Sequence, residues 1–330
     1  MNICVYGAGA IGGFLGARLG AAGHHISAVA RGDTLAALLA HGMRLELSDR
    51  VLQTPVKASS VPAELGPQDL VIVAVKGPAM ASVAAGIAPL LGPDTMVLTA
   101  MNGVPWWFFA STPGPLANLR LDCLDPDGAI DAAIPARRVI GCVVHAACTA
   151  TAPGMARHVM GNGLIIGEAC GGVSARAEQL VRALADAGFE ARVAQRIQQD
   201  IWFKLWGNMT MNPVSAITGA TCDRVLDDEL VKRYITAMML EAATIGAAIG
   251  CPVGQTPDDR HAITRKLGAF RTSMLQDVDA SRTLEIDALV TAVREIALKV
   301  NVATPNIDAL LGLTRLFART RGLYPESTHP

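Results

Sequence analysis

The stretch Asn2-Ile-Cys-Val-Tyr-Gly-Ala-Gly-Ala-Ile-Gly12 decides the fold that we predict for this chain. Its first five residues have the apolar character of a buried strand, and a glycine-rich turn follows at once. Residues 14–22 then have the composition of a helix, and residues 24–30 form a second apolar run. This order of strand, turn, helix and strand, at this length, is typical of a βαβ unit.

The glycine-rich turn is typical of a dinucleotide-binding site. It consists of Gly7, Ala8, Gly9, Ala10, Ile11 and Gly12. The three glycines would allow a tight turn, the approach of a pyrophosphate to the backbone, and close packing of the helix on the strand. The start of the helix would supply unpaired N–H groups. The alternative is a glycine-rich turn without a ligand, which the preceding strand and the following helix disfavour.

Strand and helix patterns alternate up to about residue 195, and only helix patterns follow. We predict strands over 70–75, 95–99, 138–147 and 189–194, and a β-hairpin over 155–168 that turns at 161–163. We predict helices over 78–91, 174–187, 198–211, 228–249, 257–267 and 283–300. The predicted fold class is therefore α/β, with an N-terminal Rossmann-type doubly wound sheet over residues 1–195 and an all-α C-terminal domain over residues 196–330.

The composition fits a folded protein of two domains. At roughly 150 residues per domain, 330 residues suggest two, and a hydrophobic fraction of 51% excludes a disordered chain. The net charge of −1, without a cluster of Lys and Arg, argues against a nucleic-acid partner. No apolar run reaches the roughly 20 residues that a membrane-spanning helix needs, and the N-terminus has no basic leader, so we predict neither a membrane segment nor a signal peptide.

The cysteines indicate a reducing compartment. There are seven of them, an odd number, and none forms a Cys-x-x-Cys pair. This usage is typical of reduced thiols, so we predict a cytoplasmic protein. The same absence of paired cysteines disfavours a zinc site, and we predict no metal.

Arg31, at the end of the second predicted strand, indicates the cofactor. An NAD enzyme of this type has an acidic residue here for the ribose 2′-hydroxyl, whereas an arginine suits the 2′-phosphate of NADP. We therefore predict NADP. Asp33, two residues later, leaves NAD as an alternative cofactor, although an aspartate also suits the start of the next helix. The alternative for Arg31 is a solvated loop arginine.

Three polar residues, Lys204, Asn208 and Asn212, recur every four residues in an otherwise apolar helix. That spacing places them on one helical face. A lysine in such a helix loses hydration and needs a partner or a role in the chemistry. We expect Pro213 to end the helix and to hold Asn212 in an extended conformation. The alternative is a lysine that reaches solvent, with asparagines that cap the helix end.

A second polar set lies further along the chain and includes Ser273 and Glu285. Glu285 falls within a predicted helix and is a candidate partner for Lys204. If residues 273–285 formed one helix, its ends would be ~18 Å apart, too far for one small substrate to contact both. Either the chain bends between them, or one of the two lies outside the site. The alternative for Glu285 is a solvated helical carboxylate.

Together these residues resemble the ketopantoate reductase (2-dehydropantoate 2-reductase) family along nearly the whole chain. The resemblance rests on the glycine-rich turn and on Arg31, Lys76, Asn102, Lys204, Asn208, Asn212, Ser273 and Glu285, in the order that the family has. It implies that the cofactor is bound by the turn, by Arg31, by Lys76 near the ribose and by Asn102 beside the nicotinamide. It implies that Lys204 and Glu285 are catalytic and that Asn208, Asn212 and Ser273 bind the substrate.

The resemblance implies an NADP-dependent oxidoreductase that acts on CH–OH groups. The expected reaction is the reduction of 2-dehydropantoate to pantoate, a step of pantothenate and coenzyme A biosynthesis, with Lys204 as general acid and Glu285 orienting the substrate or the lysine. One alternative is a paralogue that reduces a different 2-oxo acid. A second is a β-hydroxyacid dehydrogenase, which Asn212 and the Ser273 and Glu285 pair disfavour. A non-catalytic NADP-sensing protein is the third, and it leaves the buried lysine unexplained.

The chain departs from the family pattern after Asn102. An apolar aromatic run, Gly-Val-Pro-Trp-Trp-Phe-Phe, follows, and then an irregular stretch that ends at Pro135. The shorter members of the family lack so long an insertion as residues 106–135. Because the resemblance places Asn102 beside the nicotinamide, we expect the insertion to reshape the pocket for the acyl group. The apolar composition and the long helices also favour a homodimer.

Overall fold

The computed structural model describes residues 1–326 in two compact units. The Rossmann unit comprises Met1–Met101, Trp107–Ser111 and Asp127–Asp200, and the helical unit comprises Asn102–Trp106, Thr112–Pro126 and the chain from Ile201 onward. We expect the tail, residues 322–330, to fray, and its last four residues lie outside the described residues. The predicted fold class is confirmed, whereas the domain boundary between residues 195 and 196 stays a prediction.

The Rossmann unit contains the sheet and the helices that accompany it. Its strands are β1 (Asn2–Tyr6), β2 (His25–Val29), β3 (Met43–Glu46), β4 (Val51–Thr54), β5 (Lys57–Ser59), β6 (Gln68–Val73), β7 (Leu91–Thr99), β8 (Val139–Ala152), β9 (Met155–Glu168) and β10 (Glu190–Val193). Its helices are α1 (Ala10–Ala21), α2 (Gly32–His41), α3 (Met80–Gly86), α4 (Ala129–Ala133) and α5 (Ala175–Asp186).

The strands form one sheet in the order β4-β3-β9-β8-β7-β6-β1-β2-β5, with β10 beside β9. At its centre β1 is parallel to both neighbours, and Ile3 pairs with Ile26 of β2 and with Leu70 of β6. All three side chains are buried, as expected for the continuous apolar runs of a parallel sheet that is covered on both faces. Because these strands are parallel, their carboxyl ends lie at the same edge of the sheet.

The predicted hairpin over residues 155–168 is wrong, because this segment is the single strand β9. It pairs in antiparallel fashion with β8, and the turn between them lies at residues 153–154. The glycines that suggested a turn mark a bulge. Gly161 has a φ of +75°, and a Cβ there would lie 2.4 Å from the carbonyl oxygen of His145 on the partner strand. Close approach of two backbones at a bulge requires glycine just as a turn does.

The helical unit is built from the remaining helices. They are α6 (Ile197–Thr218, of which the first four residues belong to the Rossmann unit), α7 (Cys222–Asp227), α8 (Glu229–Ala248), α9 (Pro257–Arg265), α10 (Ser273–Asp279), α11 (Ala292–Lys299) and α12 (Pro305–Arg319). A π-helical turn, Asp287–Thr291, leads directly into α11.

The prediction that Pro213 ends its helix is wrong, because α6 continues past it. A proline inside a helix removes one backbone hydrogen bond and costs about 3 kcal/mol or more. The next residue, Val214, is buried, and packing of the last turn offsets that cost. Asn212 is therefore helical and not extended, and it stays on the face that carries Lys204 and Asn208.

The prediction that Glu285 lies within a helix is also wrong. α10 ends at Asp279, Ser281 adopts a φ of +50°, and the chain is then non-helical as far as Glu285. The helical structure resumes immediately afterwards and enters the π-helical turn. Since the chain bends after α10, the ~18 Å separation of one continuous helix does not apply to Ser273 and Glu285.

The stretch expected to be irregular, residues 110–135, is partly ordered. It contains α4 near its end, and the four aromatic residues 106–109 before it are buried. Within the helical unit, the carboxylate of Glu295 on α11 accepts backbone hydrogen bonds from Asp122 at 2.7 Å and from Cys123 at 3.1 Å. The middle of the insertion is therefore anchored to a helix and is not a loose loop.

Three further observations concern the described residues as a whole. No helix within residues 1–326 combines the length and the apolar character needed to cross a membrane. The seven cysteines are free thiols, and four of them are buried. In the same part of the chain, no group of His, Cys, Asp and Glu side chains is arranged to hold a metal ion.

Candidate active site

The glycine-rich turn joins β1 to α1 and is closed to side chains at two positions. A Cβ at Gly7, whose φ is +99°, would lie 2.6 Å from Cγ1 of Val75, and a Cβ at Gly12 would lie 2.1 Å from the carbonyl oxygen of Gly7. At Gly9, by contrast, nothing lies within 4 Å of the Cβ position, and no side chain caps α1 there. The turn therefore leaves open space before the first N–H groups of α1, an arrangement that suits a pyrophosphate. The intervening residues Ala8, Ala10 and Ile11 are partly buried.

Arg31 lies at the end of β2, immediately before α2. Its Nη2 donates a hydrogen bond of 2.9 Å to Oγ of Ser82, and both residues are exposed. Burial raises the pKa of Tyr6, the last residue of β1, and the positive charge of Arg31 counteracts part of that rise. Asp33, the acidic residue that left NAD as an alternative cofactor, is exposed in the first turn of α2. The side chain at the strand end is thus a cation with a hydroxyl partner, which suits a phosphate better than a ribose diol.

Three predicted cofactor residues follow three neighbouring strands. Gly7 comes directly after β1, Arg31 lies two residues after β2, and Lys76 lies three residues after β6. Since β6, β1 and β2 are parallel neighbours, these residues lie at the carboxyl edge of the sheet. That edge, where the strand order reverses, is where open α/β sheets bind ligands.

Lys204 lies on α6, partly buried, and forms a hydrogen bond with another predicted site residue. Its Nζ donates to Oδ1 of Asn102 at 2.8 Å, and both residues belong to the helical unit. The indole N–H groups of Trp202 and Trp206 donate to backbone carbonyls of α8, which fixes the rotation of α6 about its axis. The fold thus holds Lys204 against an amide that lies 102 positions earlier in the sequence.

A second predicted pair meets further along α6. Asn212 is buried, and its Nδ2 lies 3.4 Å from Oγ of Ser273, the first residue of α10. Ser273 itself is exposed, and the preceding Thr272 caps α10 by accepting a hydrogen bond from the N–H of Leu275 at 3.2 Å. Asn208 is partly buried and lies on the same face of α6, one turn from Asn212. Glu285 is partly buried in the non-helical segment after α10.

One contact that the sequence reasoning missed fixes the position of Asn102. The next residue, Gly103, has a φ of +83°, and a Cβ there would lie 2.5 Å from the carbonyl oxygen of Ala288 in the π-helical turn. The same carbonyl accepts a hydrogen bond of 2.8 Å from the N–H of Val104. The Asn-Gly dipeptide signals a turn, but its partner cannot be read from the sequence.

Comparison with known proteins identifies the family. A sequence model of the ketopantoate reductase PanE/ApbA family matches residues 3–171, and the model of that family's C-terminal region matches residues 196–318. The chain belongs to the ketopantoate reductase family. It is 45% identical to a 2-dehydropantoate 2-reductase from Mesorhizobium japonicum, over 98% of this chain and 100% of the relative.

Solved structures of ketopantoate reductases have the same fold. A Ralstonia solanacearum protein, provisionally described as a ketopantoate reductase, is 58% identical and superposes with a TM-score of 0.94, over 98% of this chain and 99% of that one. The 2-dehydropantoate 2-reductase from Geobacter metallireducens is 26% identical with a TM-score of 0.84, over 96% and 99% of the two chains. As a ketopantoate reductase family member, the chain is an oxidoreductase that acts on CH–OH groups, which confirms the predicted enzyme class.

Proposed function

We propose that this chain uses NADPH to reduce 2-dehydropantoate to pantoate. The observation that carries the proposal is the 2.8 Å hydrogen bond from Lys204 to Asn102, on a helix face shared with Asn208 and Asn212. A cation, an amide at the expected nicotinamide position and two further amides form a suitable surface for a substrate with a carbonyl, a carboxylate and a hydroxyl group. The Mesorhizobium japonicum relative, named 2-dehydropantoate 2-reductase, supports the choice of substrate.

The residues at the carboxyl edge of the sheet fit NADPH. The open space at Gly9 would accept a pyrophosphate, Arg31 would pair with the 2′-phosphate and Lys76 would contact the ribose. Asn102 would bind the nicotinamide amide, the role that the resemblance gives it. When bound, the cofactor supplies the hydride that reduces the ketone carbon. The protein binds the cofactor and the 2-oxo acid so that the two reacting carbons meet.

Lys204 acts as the general acid in this proposal. Its ammonium group donates a hydrogen bond to the ketone oxygen, and then a proton, as negative charge develops on that oxygen. The amide oxygen of Asn102 accepts one of the three N–H donors of the ammonium group and so fixes the direction of the other two. Glu285 orients the substrate hydroxyl or the lysine.

The remaining polar residues bind the substrate. Asn208 offers an amide that both donates and accepts hydrogen bonds, which suits the substrate hydroxyl. Asn212 and Ser273, already in contact, form a second group that can donate to a carboxylate or a hydroxyl. Because Asn212 is buried and Ser273 is exposed, this pair lies where a substrate can replace solvent around it.

The reaction can be tested by measuring the loss of NADPH absorbance with 2-dehydropantoate and with a panel of unbranched and aromatic 2-oxo acids. The same assays with NADH as the cofactor run in parallel. Efficient turnover of 2-dehydropantoate with NADPH supports the proposal. Turnover of another 2-oxo acid alone keeps the mechanism and replaces the substrate, with the buried aromatic residues 106–109 as the first place to look for the selector. Oxidation of a 3-hydroxy acid with NADP supports a β-hydroxyacid dehydrogenase. Tight NADPH binding without any turnover supports a non-catalytic NADP-sensing protein.

The role of Lys204 is tested by Lys204→Ala. We expect kcat to fall by a factor of about 10² to 10⁴, the usual contribution of a general acid, with the Kd of NADPH almost unchanged. Lys299→Ala is the matched control, because Lys299 is an exposed lysine at the end of α11. Turnover of the Lys204 variant within tenfold of the parent contradicts the assignment.

The homodimer is a further part of the proposal. Leu240 on α8 and Leu313 and Leu316 on α12 are exposed apolar side chains on two helices that pack together, and such a surface favours association. Analytical ultracentrifugation measures the mass in solution, and a monomer at micromolar concentration contradicts this part. The cytoplasmic location stays a prediction from the cysteine usage.

A further inference from the structure

Arg260 on α9 carries a positive charge for which the described part of the helical unit supplies no ion-pair partner. The residue is partly buried, and its Nε atom is shielded from solvent without a hydrogen-bond partner. Within residues 1–326 the guanidinium group forms no hydrogen bond and no ion pair. The other arginine of α9, Arg265, is paired with Asp227.

The guanidinium group rests against α6, the helix that carries Lys204. Its Cζ lies 5.6 Å from the centre of the Phe203 ring. It also occupies the space in which a side chain at position 207 would lie, because a Cβ at Gly207 would be 2.6 Å from Nε and 2.8 Å from Nη2. Glycine in the middle of a long helix is unfavourable, and here it gives Arg260 access to the helix backbone.

A partly buried guanidinium group without an anion is costly. Burial lowers the pKa of Arg260, yet an arginine keeps its proton in proteins, so the charge remains. The ring of Phe203 compensates one face of the group only. The five N–H donors suit a planar two-oxygen anion above all, and a carboxylate is such an anion.

The position of Gly207 on α6 places Arg260 on a definite side of Lys204. With 3.6 residues per turn, Gly207 lies about 60° to one side of Lys204, whereas Asn208 and Asn212 lie about 40° and 80° to the other side. Since Cβ atoms three residues apart on a helix are about 5–6 Å apart, the guanidinium group lies within roughly 9 Å of Cβ of Lys204. A small acid whose ketone contacts Lys204 therefore has a cation on one side and amides on the other.

We propose that Arg260 binds the carboxylate of the 2-oxo acid and so sets the direction in which the substrate lies along α6. The carboxylate points towards Gly207 and Arg260, the ketone lies at Lys204, and the hydroxyl end lies towards Asn208 and Asn212. This inference rests on the proposed reduction of a 2-oxo acid and adds the group that distinguishes an acid from a neutral ketone.

The test compares 2-dehydropantoate with its methyl ester in the parent and in Arg260→Gln. We expect kcat/KM for the acid to fall about 100-fold, mainly through KM, because a carboxylate loses its charged partner. We expect kcat/KM for the ester to change less than threefold, so that discrimination between acid and ester is lost. Arg260→Lys should recover part of it. Arg233→Gln, at an exposed arginine on α8, is the matched control.

A second variant guards against misfolding of the first. Gly207→Ala keeps the charge and favours the helix, but its Cβ displaces the guanidinium group. We expect this variant to lose acid–ester discrimination as well, with Tm at or above that of the parent. An equal loss for acid and ester in both variants, which is the result of a purely structural role, overturns the inference.

Failure of the proposed function gives a different result. If the parent reduces no 2-oxo acid with either cofactor, the proposed function is wrong, and calorimetric binding of 2-dehydropantoate then decides the role of Arg260. Binding that weakens at least tenfold in Arg260→Gln and not in Arg233→Gln supports a carboxylate site. No binding to the parent, or equal binding to parent and variant, overturns it.

Discussion

In the proposed function, the choice between the two nicotinamide cofactors depends on Arg31. It stands where enzymes that use NAD have an acidic residue, and its guanidinium group is held by the hydroxyl of Ser82 at 2.9 Å. A hydroxyl gives direction to the guanidinium group without neutralising it. The full positive charge is therefore available to a 2′-phosphate, which carries close to two negative charges at neutral pH.

Replacement of Arg31 by alanine should weaken the proposed preference for NADPH over NADH. We expect Arg31→Ala to raise KM for NADPH by a factor of about 10 to 100, because a charged hydrogen bond is worth about 1.5–3 kcal/mol, and to leave KM for NADH within about threefold. Steady-state kinetics with both cofactors measures this. Arg50→Ala, at an exposed arginine of the same unit, should leave both constants unchanged. Equal effects on NADPH and NADH would show that Arg31 has no contact with the 2′ position.

The π-helical turn Asp287–Thr291 connects two elements of the candidate site. Its residue Ala288 accepts the N–H of Val104, while Gly103 lies so close that its Cβ position is 2.5 Å from the same carbonyl oxygen. In a regular helix that carbonyl is used within the helix, and a π-helical turn is a common device at functional sites. The turn thus fixes Asn102, and Asn102 in turn holds Lys204.

A methyl group at Gly103 should therefore disturb catalysis more than stability. In Gly103→Ala the Cβ collides with a backbone oxygen, which cannot move aside as a flexible side chain would. We expect kcat to fall at least tenfold, as misplacement of a group by about 1 Å costs up to about 10² in rate. Gly114→Ala is the control for backbone strain alone, since Gly114 also has a positive φ, +73°, but nothing lies within 4 Å of its Cβ position. Similar kinetics for the two variants would contradict the role of the contact.

Local sequence patterns correctly predicted the secondary-structure elements that depend on neighbouring residues. They gave wrong predictions where contacts with residues distant in the sequence determine the structure. The strand, turn and helix over residues 2–22 were predictable because apolar runs and glycine spacing act over a few residues. β3 and β5 were missed, since they are short, partly polar and stabilised by their neighbours in the sheet. Pro213 and Gly161 were misread because packing retains a helix through a proline, and a bulge uses the same residue type as a turn.

In the candidate site, too, local sequence predicted some features, and contacts between distant residues determine the others. Spacing alone placed Lys204, Asn208 and Asn212 on one face of a helix, since helical periodicity is local. The partners of that face, Asn102 and Ser273, lie 102 and 61 positions away from the residues that they contact. Only the resemblance to ketopantoate reductases indicated Asn102 beforehand, whereas Ser273 also stood out in the second polar set, without an assigned partner. The sequence did not single out Arg260, because the lack of an ion pair to its guanidinium group within residues 1–326 is a property of the fold.

On the scale of the whole molecule, the chain passes from one compact unit to the other after residues 101, 106, 111, 126 and 200. The insertion is thus shared by both units and is not an appendage of either. In the helical unit its segment Thr112–Pro126 is anchored by Glu295, which accepts two backbone N–H groups. The segment Asn102–Trp106, which leads into the insertion, belongs to the same helical unit as Thr112–Pro126.

In each unit we expect one buried titratable group to make stability depend on pH. In the helical unit, burial lowers the pKa of His261 below its usual 6.5; Asp258 opposes this, and the positive charges of Lys232 and Arg265 add to it. In the Rossmann unit, burial would raise the pKa of Glu168, but hydrogen bonds from Arg176 and Ser174 outweigh burial. The pKa of Glu168 therefore lies below its usual 4.5.

The two groups should act in different pH windows as acid is added. For His261, the unfolded chain binds a proton below about pH 6.5 while the folded chain does not, so stability falls from there down to the lowered folded pKa. For Glu168, the stabilisation is complete above about pH 4.5 and is lost as the pH falls through its lowered folded pKa. Measurement of Tm at a series of pH values should show a curve for His261→Gln that is flatter than that of the parent as the pH falls below about 6.5. Glu168→Gln should have a lower Tm at neutral pH and a flatter curve only below about pH 4.5. If the His261→Gln curve runs parallel to that of the parent across its window, burial of that imidazole does not cause the acid sensitivity of the helical unit.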